Sequence, residues 1–154
     1  MHRDELLTHP VAHMAPQQVI ADLSGEDAAR HLLGITHSIV EIVAHMTFWQ
    51  AWFLTRCAGT AVPAPAHAAE GWPTVTAADW VRVRDQYLQD LARAVAFPAT
   101  GRIDPPLEHP PMANYTVDDV MIHIAQHNAH HLGQIVTLRQ ALGLWPPPGG
   151  SYTW

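Results

Sequence analysis

The chain has 154 residues, 48% apolar and 14% charged, which is enough to bury one core and too few charges for a disordered segment. A formal charge of −6 with eight Lys plus Arg excludes the basic surface that nucleic acid requires, and no run approaches the roughly 20 apolar residues that span a bilayer. The single cysteine, Cys57, excludes an intrachain disulfide and, with an N-terminus that has no apolar signal core, points to a cytoplasmic protein.

Apolar residues recur at three and four positions, not at two, which predicts an all-α fold. Leu6, Leu7, Val11, Met14, Val19, Ile20 and Leu23 mark a first helix over 3–23, broken at Pro10 and Pro16. Ser38 and Glu41 make a capping-box pair that opens a second helix running to about Ala58, with Gly59 as its stop. The Ala- and Pro-rich stretch Thr60 to Pro73 reads as a crossover connection, after which Thr76 and Asp79 open a third helix through Val95. Ala99 to Asn114 is irregular and carries Pro105, Pro106, Pro110 and Pro111; Thr116 and Asp119 then cap a fourth helix that Gly143 closes. The tail, 144–154, is non-helical, and its Trp145, Tyr152 and Trp154 are expected to strap it onto the fold. Long connections after the second and third helices suit a four-helix bundle with crossovers, a single domain over 1–154.

Twelve histidines are many for this length, so each is weighed by its place. His123, His127 and His131 recur every fourth residue on the fourth helix, where imidazoles on adjacent turns can share one metal ion. The apolar phase of Val117, Val120, Met121, Ile124, Ile135, Leu138 and Leu142 puts His131 inside the buried face and His127 at its edge. It turns His123 farther round and leaves His130 solvated. The third ligand expected is His45, set among Ile42, Val43, Met46 and Phe48 in the middle of the second helix, where an unpaired protonatable group is costly. Three histidines leave a coordination position open, the arrangement of a catalytic metal. Around them, Glu41 either orients His45 or serves only its cap, Trp49 walls a pocket, His123 stands beside the ligands, and Gln134 contacts a ligand or a buried polar network. His2, His9, His13, His31, His37, His67 and His109 are expected on the surface, and Cys57 as a buried structural thiol. No Gly-x-Ser-x-Gly or glycine-rich phosphate loop is present, so neither serine hydrolysis nor nucleotide chemistry is supported.

With His45 in the second helix, the run His127-Asn-Ala-His-His131-Leu-Gly-Gln-Ile135, followed by Leu138-Arg139 and Gly143, resembles the DinB-like (DinB/YfiT) superfamily of helical bundles and its His-x-x-x-His-x-Gly-Gln signature. The resemblance implies that His45, His127 and His131 bind a divalent metal, zinc or nickel, and that the chain forms a homodimer. It implies a metal-dependent enzyme acting on small molecules, with transfer of a low-molecular-weight thiol ahead of metal-dependent hydrolysis. The rival expectation is a noncatalytic bundle whose ion fixes the second and fourth helices together. No motif in the chain identifies a catalytic residue beyond the ligands.

Overall fold

A computed structural model describes residues 2–98 and 100–151. Six α-helices run through the described residues, and the sole extended pairing among them is one antiparallel bridge between Arg102 and Thr116. Helices α1 (Arg3–Leu7), α2 (Pro16–Val19) and α3 (Gly25–Ala28) are short, whereas α4 (Ile39–Cys57), α5 (Trp80–Val95) and α6 (Val117–Ala141) are long. The broken first element, 3–23, is thus two pieces, α1 and α2, with α3 just beyond it. Pro10 lies in a non-helical joint, and Pro16 opens α2 at the position where its missing N–H is not needed.

The long helices begin where side chains satisfy their free amides. The Ser38 amide and hydroxyl both donate to Glu41 Oε2, at 2.7 and 2.8 Å, and Thr116 does the same to Asp119 at 2.8 and 2.6 Å. Thr76 and Asp79 cap a short turn, Ala77–Asp79, that leads into α5. Beyond the last turns of α4 and α6 stand Gly59 and Gly143, at φ 83° and 72°, a left-handed conformation that side chains disfavour.

Helix α4 is central: 12 of its 19 residues are buried. It packs on α5 and α6, and α1 and α2 lie across α5 and α6 to fill the fourth corner of the bundle. Val43, Met46, Leu54 and Ile135 are fully or almost fully enclosed; each such side chain contributes about 1.5–3 kcal/mol. Helices α4 and α6 run antiparallel, since His45 meets His131, Gln50 meets Asn128 and Phe53 meets His123. The Gln50 amide joins all three long helices: its oxygen accepts from Asn128 Nδ2 at 2.7 Å, and its nitrogen donates to the Tyr87 carbonyl at 3.3 Å.

Two arginines that composition alone would place outside are buried, each 1% exposed. Arg56 donates to the carbonyls of Val62, Pro105 and Pro106 at 3.1, 3.0 and 2.7 Å, so it pins both proline-rich connections to the end of α4. Arg139 donates to Val19, Ala21 and Leu144 carbonyls at 2.5, 3.0 and 3.1 Å, and its guanidinium lies 5.6 Å from the Trp145 ring. Trp145 therefore straps the start of the tail; Tyr152 and Trp154 fall outside the described residues. No helix among the described residues is long and apolar enough to cross a membrane.

Replacing Arg139 with Met removes the donors to three carbonyls around one buried point and is expected to lower the unfolding free energy by about 2–4 kcal/mol. Urea unfolding measures this. Arg82→Met, in which an exposed side chain loses its ion pair with Asp79 at the surface, should leave the midpoint unchanged.

Candidate metal centre

Helix α6 carries one apolar stripe in which His131 takes a core position, 6% exposed, and one turn earlier His127 stands half-buried at the stripe's edge. From the facing side of α4 comes His45, 7% exposed. One ligand-capable nitrogen from each of the three lies within 4.8 Å of the other two, a donor set that can hold a metal ion. The Nε2 of His127 is 3.2 Å from that of His45 and 3.1 Å from that of His131.

The opposite ring nitrogens decide what those atoms offer. His45 Nδ1 is 2.6 Å from the Gly71 carbonyl, which can only accept, so the proton sits on Nδ1 and Nε2 presents a lone pair. His131 repeats the arrangement, its Nδ1–H donating to Gln134 Oε1 at 2.7 Å. His127 Nε2 faces both lone pairs and has one proton at most to share between them. A neutral triad therefore leaves at least one lone pair without a donor of its own, whereas a cation among the three satisfies them all. The residues present fit a divalent metal.

Burial acts in the same sense, because it disfavours the imidazolium. It brings His45 down to about 4 and His127 down to about 3, with the neighbouring imidazoles adding repulsion, and it lowers His131 as well. All three are neutral near pH 7, the state that coordinates a metal.

The surrounding residues differ from the sequence expectation in several places. Glu41 serves its cap and approaches His31 at 3.3 Å; the ring of His45 is oriented by Gly71 instead. Trp49 lies edge-on to His45, with centroids 6.5 Å apart, and its indole presses on Gly71, where an added Cβ would come within 2.8 Å of Nε1. It shapes the loop and does not face the cavity. His123 packs against Phe53, at 4.8 Å, and Tyr115, outside the convergent set. Gln134 holds His131 and also lines the cavity. His37, expected as a surface residue, stacks on Trp72 at 3.7 Å, and Trp72 stacks on His45 at 3.8 Å, a three-layer sandwich. Trp72, Gly71 and His37 were not singled out from the sequence; the pointer available was Gly71-Trp72-Pro73, an aromatic closing an Ala- and Pro-rich connection.

A cavity of about 720 Å³ opens beside the triad, between Thr36, His37, Trp72, His130, His131 and Gln134. Another of about 710 Å³, between α1, α2 and α5, shares no wall with the three histidines. Cys57 is remote, about three turns along α4 from His45, and burial pushes its thiol up to about 11, so it is not a ready nucleophile.

Compared with known proteins, the chain matches over residues 7–143 a family model described as mycothiol-S-transferase. No curated protein and no solved structure matches it.

The depressed imidazoles fix a pH dependence for the metal-free protein. Below the ordinary value of 6.5 the unfolded chain takes up protons that His45 and His127 refuse in the fold, so stability is lost as pH falls toward their folded values of about 4 and about 3. Between pH 6.5 and 4.5, above the ordinary range of Glu41 and its fellow carboxylates, the urea midpoint is expected to fall. A His45→Gln, His127→Gln double variant should show a flatter slope across that window.

Proposed function

The chain belongs to the mycothiol-S-transferase family, a branch of the DinB-like superfamily, and we propose that it joins a low-molecular-weight thiol, mycothiol by family, to an electrophilic small molecule. On this reading His45, His127 and His131 hold a divalent ion, zinc or nickel. The observation that carries it is the convergence of three Nε2 atoms, two of them with their Nδ1 protons committed elsewhere, beside a cavity large enough for a small molecule, whose wall His131 shares.

An ion held there supplies Lewis acidity that lowers the pKa of a thiol and favours the thiolate at neutral pH. The chain's own residues do the rest. Gly71 and Gln134 keep His45 and His131 in the tautomer whose Nε2 faces the centre. Among the described residues, no lysine, arginine or carboxylate lines the cavity. Thr36, Thr137 and Gln134 offer hydrogen bonds to an uncharged polar head, and Ile42 and Leu138 keep water from the reacting sulfur. His130, on the cavity wall with its ring 5.0 Å from that of His131, takes the thiol proton on an imidazole nitrogen and passes it to solvent. The sulfur then attacks the electrophilic carbon, a carbon–sulfur bond forms, and the leaving group departs with its bonding electron pair. With Cys57 remote and its thiol held protonated, the reacting thiol comes from outside the chain. The reading extends to a homodimer, on the superfamily resemblance, and to the cytoplasm, where a reduced thiol pool is maintained.

Elemental analysis of untagged protein should give one divalent ion per chain, and a His45→Ala, His127→Ala double variant should carry none. Its thiol-dependent conversion of a chromogenic electrophile should fall by more than the roughly 10–100-fold that loss of an outer contact to a metal site costs. Conversion at the same rate without thiol would replace transfer by hydrolysis, and full metal content in the double variant would remove the site.

A further inference from the structure

Two consecutive residues of the connection between α4 and α5 act on His45 from outside the bundle. Gly71 supplies the carbonyl that holds the Nδ1 proton at 2.6 Å, and Trp72 lies flat on the imidazole, centroids 3.8 Å apart and planes 11° from parallel. Behind Trp72, His37 lies 3.7 Å away and 7° from parallel, so the indole is held on both faces. A hydrogen bond fixes which nitrogen carries the proton and one direction in the ring plane; stacking fixes the tilt of that plane. Together they leave Nε2 a single direction, toward His127. The segment itself is held in place by two contacts: the Trp72 amide donates to Ala69 at 3.0 Å, and Trp49 fills the space that a side chain at Gly71 would need.

We propose that Gly71 and Trp72, backed by His37, are positioning residues for His45, and that metal affinity at the centre depends on this stack as it does on the ligands. The inference rests on the metal-binding reading above. His131 obtains its orientation from Gln134 one turn along its own helix, whereas His45 obtains it from a segment 26 residues away in sequence. The His45 side of the centre is therefore the one that a loop substitution can loosen while the bundle stays folded. Trp72 and His37 also line the cavity, so the same stack is in contact with whatever fills it.

The test is the affinity for Zn²⁺, used as the probe metal and measured by competition with a chromophoric chelator, in wild type, Trp72→Ala, Trp72→Phe, His37→Ala and His45→Ala. Circular dichroism and thermal unfolding confirm the fold of each. Trp72→Ala should weaken Zn²⁺ binding about 10–100-fold, Trp72→Phe should recover most of that loss because a flat ring remains, and His37→Ala should fall between. Nitrogen-15 NMR of the metal-free protein should show His45 as the Nδ1–H tautomer in wild type and a mixture in Trp72→Ala. Unchanged affinity in a folded Trp72→Ala, with His45→Ala still abolishing binding, overturns the positioning role and leaves the metal site standing. If Trp72→Ala does not fold, His37→Ala and the Trp72→Phe comparison decide, and equal affinity in both and wild type with an unmixed His45 tautomer also overturns it. Absence of stoichiometric Zn²⁺ in wild type removes the metal reading itself.

Discussion

The contact between α4 and α6 governs everything else in the molecule, and its register is set by one buried amide pair. Asn128 Nδ2 donates to Gln50 Oε1 at 2.7 Å, and the other end of Gln50 reaches the Tyr87 carbonyl. Apolar neighbours alone would tolerate sliding, because one Leu or Ile fills a gap much as another does. Two buried amides do not, since a displaced Gln50 or Asn128 keeps its desolvation cost and loses its partner. In this register, five residues back along α4, His45 comes to face His127 and His131. The net worth of such a pair is about 1 kcal/mol; its effect on where the imidazoles meet is far larger.

The meeting itself is costly in the absence of a cation. Three imidazoles taken out of water lose the option of charging, and two of them turn lone pairs toward the third. Helix packing alone would not keep them there. The Nδ1–H bonds of His45 to Gly71 and of His131 to Gln134 do, by making any other ring orientation forfeit a hydrogen bond.

The helix framework was legible because its signals are local. Ser38 with Glu41, Thr76 with Asp79 and Thr116 with Asp119 mark three starts, Gly59 and Gly143 two ends, and the apolar phase of α6 separates His131 from solvated His130. What stayed hidden depends on contacts between segments distant in sequence. Trp49 stands one turn from His45 on α4, but its indole is taken up against Gly71 and does not reach the cavity. The wall is Trp72, from a connection with no periodicity to read. His37 lies in the loop ahead of α4 with no aromatic residue near it in sequence; its partner is 35 positions on. Arg56 and Arg139 were hidden for a related reason. A proline contributes a carbonyl and no N–H, so the connection that carries Pro105 and Pro106 arrives at the bundle with acceptors in excess, and the buried Arg56 guanidinium supplies donors, as Arg139 does for the carbonyls of Val19, Ala21 and Leu144.

This division of labour bears on how the site can vary. All three imidazoles stand on α4 and α6, buried and held in register, so the donor set is as rigid as the bundle. Much of the cavity wall comes from elsewhere: the segment 34–37 ahead of α4 and Trp72 ahead of α5. These are connections that tolerate substitution and insertion far better than helix interiors do. Changes there would reshape the cavity while the imidazole convergence stays put. Within those connections Trp72 touches both parts. A substitution at that position removes a wall of the cavity and the ring stacked on His45 together, as one at Gln134 removes a wall and the partner of His131.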